Sequence, residues 1–106
     1  MLKMRAKTYL ILPLVFLLAA CGHDGDDPAA RGEQVYLAEC TACHNSNPAK
    51  DGPVGPAVKG SSLELLEARI LRASYPPGYT PKRTTTLMPP QPKVASKIPD
   101  LAAFLR

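Results

Sequence analysis

The chain has 106 residues, 45% of them hydrophobic, with 12 prolines, three cysteines and no tryptophan, and a formal charge of +4. That length holds one small domain and excludes a multidomain architecture. A core of this size rarely supplies more than ~3–5 kcal/mol, so the domain needs a staple or a bound group to complete it.

In chain order, the first element is a leader. Lys3, Arg5 and Lys7 precede a mostly apolar stretch from Thr8 to Ala19, "TYLILPLVFLLA", interrupted by Pro13. A spanning helix needs ~17–25 apolar residues, so this run is too short and fits the apolar region of a secretory signal, residues 1–20. The run ends at "LLAAC", with Cys21 where the hydrophobicity stops. This resembles the lipobox of bacterial lipoproteins. The resemblance implies a diacylglycerol on the Cys21 thiol, export, and a membrane anchor. Gly22 in the next position favours the outer membrane, periplasmic side.

Removal of the leader takes away three basic residues and leaves a net charge of +1 on residues 21–106. The basic balance therefore gives no footing for nucleic-acid binding. The remaining charge is polarised, −5 over residues 21–68 and +6 over residues 69–106. "GHDGDDPAA" carries Asp24, Asp26 and Asp27 without apolar period, and residues 21–29 read as a flexible tether. The domain is then 30–106.

Ala30 to Cys40 predicts a helix with Val35, Tyr36 and Ala38 near one face. Gly32 marks its start or a close contact, since glycine costs about 1 kcal/mol in a helix interior. Residues 45–60 are punctuated by prolines and glycines and predict a loop. Ser61 to Glu64 matches the Ser-x-x-Glu capping box and opens a second helix whose Leu63, Leu66 and Ile70 follow a helical period. Residues 75–93 hold six prolines and cannot be helical; so long a connection in so small a domain has a task. Pro99 suits the first turn of a terminal helix with Leu101, Phe104 and Leu105 on its apolar side. Nothing alternates as a strand does, so the expected class is all-α.

Between the first helix and the first loop stands "CTACH", Cys40 to His44. A Cys40–Cys43 disulfide would close a tiny loop and staple almost nothing. A structural zinc site needs four ligands, and Cys40, Cys43 and His44 give three at most. A thioredoxin-like pair belongs to a βαβ pattern that is absent here. The spacing C-x-x-C-H matches covalent attachment of a c-type haem. Each thiol adds across one porphyrin vinyl, and the adjacent imidazole reaches the iron. Haem would also supply the apolar centre that the composition lacks. Met88, in "TTTLMPPQP", is the single methionine after the leader and the candidate sixth ligand. The other histidine, His23, lies in the tether.

With these motifs in place, the chain resembles a class I monohaem cytochrome c over residues 30–106. The resemblance rests on Gly32 and Tyr36 before C-x-x-C-H, on Gly55-Pro56 and Met88-Pro89 in the two loops, and on Phe104 in the last helix. It implies three to four short helices and long loops wrapped around one covalent haem c. Cys40 and Cys43 would carry the thioethers, and His44 and Met88 the iron. The Pro56 carbonyl would accept a hydrogen bond from His44 Nδ1, and Phe104 would pack on the first helix. Glycine usually follows the motif; here Asn45 does, and its tolerance of left-handed backbone makes the change acceptable. Tyr75 or Tyr79 would serve the propionates.

His/Met ligation implies a one-electron carrier and not an enzyme. The alternatives are a haem subunit or sensor with an exchangeable sixth ligand, and a thiol protein without haem. The expected partners are redox proteins with an acidic docking patch. They would meet Lys82, Arg83, Lys93 and Lys97 around an exposed haem edge.

Overall fold

The computed structural model describes residues 26–106. The leader and Cys21 lie outside the described residues. Three α-helices, α1 (Pro28–Glu39), α2 (Leu63–Arg72) and α3 (Ile98–Leu105), form the frame, with a 3-10 helix at Pro92–Lys97 leading into α3. No strand occurs among the described residues, as the sequence predicts. Nor is any helix among them long and apolar enough to cross a membrane.

α1 begins two residues before the expected domain boundary. Asp27 caps it, its carboxylate accepting from the Ala29 N–H at 3.1 Å, and Pro28 occupies the first turn. Pro28 and Ala29, expected in the tether, therefore belong to the helix. Their acidic neighbour is a capping residue and not merely a solvated charge.

α1 and α3 cross at Gly32. A Cβ built there would lie 2.0 Å from the Asp100 carbonyl oxygen and 2.9 Å from Phe104 Cβ, so only glycine permits the approach. Beside the crossing, the Arg31 guanidinium donates from Nε and Nη2 to both Asp100 carboxylate oxygens at 3.0 Å. Tyr36 and Phe104 pack with ring centroids 5.5 Å apart at a tilt of 48°. Such tilted pairs contribute about 0.5–1.5 kcal/mol beyond their area.

α2 starts one residue later than the capping-box match indicates. Ser62, not Ser61, is the cap, its Oγ accepting from the Leu65 N–H at 3.1 Å. Ser61 Oγ instead donates to the Val58 carbonyl at 2.6 Å. Leu63 is consequently a first-turn residue, 46% exposed, while Leu66 and Ile70 are buried as the period predicts. Glu64 in the first turn and Arg69 and Arg72 in the last complement the helix dipole. The helix closes at Ala73, which adopts a left-handed φ of 50°.

The terminal helix was expected from Pro99. It starts at Ile98 and is extended backward by the 3-10 segment, which takes in Pro92 and Lys93 from the expected loop. Proline in its first turn suits a helix start, because no N–H is needed there. The buried core is Tyr36, Leu66, Ile70, Val94, Ile98, Leu101 and Leu105.

Candidate haem site

The two loops and the core residues enclose one cavity of ≈330 Å³. Cys40, Cys43 and His44 line it together with residues 54–58 of the first loop. Leu87, Met88 and Pro89 of the second loop line it as well. Six of the seven core residues, all but Ile98, border the same space. The core therefore forms one apolar wall of the cavity.

The chain turn that carries the motif is built from α1. The Cys40 N–H donates to the Tyr36 carbonyl at 2.9 Å, and the Cys40 carbonyl accepts from the His44 N–H at 3.0 Å. This keeps five residues in one compact turn. The phenol of buried Tyr36 donates to the Asn45 carbonyl, tying the residue after His44 back to α1. Burial, with the nearby Cys40, raises the Tyr36 pKa, so the phenol stays a donor.

Asn45 does not use the left-handed backbone expected of it; Ala73 is the one non-glycine with positive φ among the described residues. Its side chain works instead. Oδ1 accepts from the Asn47 N–H at 2.9 Å, and Nδ2 donates to the Asp51 carbonyl at 3.2 Å. The Asp51 carboxylate in turn accepts from the Ala57 N–H at 2.9 Å. These contacts fold the first loop back over the motif.

His44 is held on two sides. Its Nδ1 lies 2.9 Å from the Pro56 carbonyl oxygen. A carbonyl only accepts, so Nδ1 is the donor here, and in the neutral ring that tautomer leaves the Nε2 lone pair for a metal. A Cβ on Gly55 would lie 2.4 Å from His44 Cε1 and 2.6 Å from Nδ1. The ring therefore occupies the space that any side chain at 55 would fill. The Cys43 carbonyl accepts from both the Val54 and Gly55 N–H groups, at 3.2 and 2.9 Å, which locks that cradle to the motif.

Cys40 and Cys43 are free thiols, Cys40 half-buried and Cys43 exposed. Burial pushes the Cys40 thiol up to about 11, with Glu39 adding to the rise. This is opposite to the depressed thiol of a thioredoxin-like nucleophile. Among the described residues no three His, Cys, Asp or Glu side chains converge as a zinc site requires. Two thiols, an imidazole with a free Nε2, a thioether and an apolar cavity fit haem in kind and number.

Met88 is half-buried and packs against the core. Tyr75 and Tyr79 both line the cavity, their rings stacked with centroids 5.4 Å apart. The four cations expected at the rim behave differently from one another. Lys82 and Arg83 line the cavity; Lys93 and Lys97 do not. Lys82 Nζ donates to the Ala57 carbonyl at 2.8 Å, Arg83 pairs with Asp51 at 3.5 Å, and Lys93 pairs with Glu39 at 2.5 Å. Composition could not reveal that three of the four bind their own chain. Sequence reading also missed Arg69, whose place beside the cavity depends on how the second loop returns to α2.

Compared with known families, residues 29–106 match the family model described as cytochrome c. No curated protein and no solved structure gives a match.

Proposed function

From a chain that belongs to the cytochrome c family, and so binds haem c covalently and transfers electrons, we infer a one-electron carrier with His44 and Met88 as axial ligands, held to a bacterial membrane by lipid on Cys21. Haem supplies a centre that takes up and releases a single electron. The chain fixes what surrounds it. Cys40 and Cys43 would hold the group as thioethers. Pro56 and Gly55 orient the imidazole, so that His44 needs no rearrangement between oxidation states. Met88 would close the remaining position and raise the potential, as thioether ligation does.

The observation that carries this reading is a single apolar cavity lined by Cys40, Cys43 and His44 from one loop and by Met88 from the other. A carrier is favoured over an enzyme or sensor because the chain has no histidine besides His44 and His23 to act on an exchangeable ligand. The test is a redox titration of the exported protein. One reversible electron per chain supports the carrier. Catalytic turnover of peroxide or tight binding of small ligands to the untreated protein supports the alternative.

The partner is a redox protein with an acidic patch. Lys82 and Arg83 support that reading because they stand at the cavity. Their intramolecular contacts are exposed and worth about 0–1 kcal/mol each, so a partner carboxylate can replace them. The lipid would keep the carrier on the periplasmic face, by preference of the outer membrane.

A further inference from the structure

Pro89 and Pro90 follow Met88 and have no N–H, so this stretch anchors itself chiefly through its carbonyls. The Met88 carbonyl faces Arg69 of α2, whose Nη2 lies 3.5 Å away. The same guanidinium lies over the Tyr75 ring, 4.4 Å from its centroid. Tyr75 is stacked on Tyr79 with the planes 8° apart. Left-handed Ala73 turns the chain back so that Tyr75 meets Arg69, and Gly78, with φ of 78°, lies in the turn that brings Tyr79 onto Tyr75. Three residues after Met88, the Gln91 N–H donates to the Ile70 carbonyl at 2.7 Å. Consecutive residues of α2 thus grip the loop at the methionine and again three residues beyond it.

We propose that Arg69, braced by the Tyr75–Tyr79 stack, is a positioning residue for Met88. It holds the methionine backbone against α2 and thereby keeps the thioether in the sixth position. The proposal rests on Met88 being that ligand. The guanidinium is suited to the task because it is planar: it stacks through its face and donates through its edge. A lysine ammonium keeps the charge but cannot do both.

The experiment measures imidazole affinity and the weak Met–Fe(III) charge-transfer band of the oxidised holoprotein. It compares wild type, Arg69→Lys, Arg69→Ala and Tyr75→Ala, with and without Met88→Ala. Loss of the grip exposes the iron to competition, so each single variant should bind imidazole about tenfold more tightly and show a weakened band. With Met88→Ala present, the same changes should alter the affinity less than about twofold, because the residue they act through is gone. Urea unfolding separates this from general destabilisation. Should Arg69→Ala fail to load haem, Arg69→Lys and Tyr75→Ala decide. Unchanged affinity in those variants, while wild type shows the band, overturns the proposal and leaves Met88 ligation intact. An equal gain in the Met88→Ala background also overturns it, since Arg69 would then act on access alone. A wild-type protein without the band removes Met88 ligation, and the proposal with it.

Discussion

Gly55 and Tyr36 carry more of the site than their neighbours because each fixes one side of the haem-binding turn. Gly55→Ala puts a methyl 2.4 Å from the His44 ring, against a loop held by two hydrogen bonds to Cys43. The ring or the loop must shift. A loss of about 1–3 kcal/mol is expected, with a changed reduction potential as the Nδ1 contact to Pro56 loosens; urea unfolding and voltammetry read the two effects. Tyr36→Phe keeps the packing on Phe104 but strands the Asn45 carbonyl. It should cost about 1–3 kcal/mol in urea unfolding with the haem still attached. At this scale the sequence was most legible where chemistry demands spacing: Cys40, Cys43 and His44 are readable without a fold. Pro56 was reachable only by resemblance, because nothing local says where a carbonyl 12 residues away will point. Asn45 was expected to matter through its backbone, whereas its side chain carries the loop.

All three helices were legible, since their apolar periods and prolines are local signals. Their ends were less so. Ser61 and Ser62 both fit a cap, and the choice falls to the tertiary contact that occupies Ser61, its bond to Val58. The 3-10 segment before α3 has no period of its own and depends on packing Val94 into the core. The joint between α1 and α3 makes a pH prediction. The hydrogen bond from Arg31 holds the Asp100 carboxyl below the usual carboxylate range, with desolvation opposing it and the Arg31 and Lys97 charges helping. The unfolded chain therefore takes up this proton first. The pair's contribution is present above about pH 4, the ordinary aspartate range, and is lost as pH falls through the lower folded value. Asp100→Asn should lower the Tm at neutral pH and flatten its fall below about pH 4. A Tm profile parallel to wild type would show that the pair contributes nothing.

For the whole molecule, charge is divided between an acidic first part and a basic second part, and the lipid would fix one end. If Lys82 and Arg83 exchange their internal partners for those of a redox protein, the bimolecular electron-transfer rate should fall steeply with ionic strength. Lys82→Glu with Arg83→Glu should slow it by roughly 10-fold or more and flatten the salt dependence. Replacing Cys21 by serine should move the protein from the membrane to the soluble fraction. Equal solubility of the two forms would contradict the anchor. The most direct test of the central claim is the spectrum of oxidised wild type beside Met88→Ala. Wild type should show low-spin haem with the Met–Fe(III) charge-transfer band. Met88→Ala should keep its covalent haem, lose that band, drop in potential and bind small ligands. Identical spectra and potentials in the two proteins would contradict it, because the methionine would then have no hold on the iron.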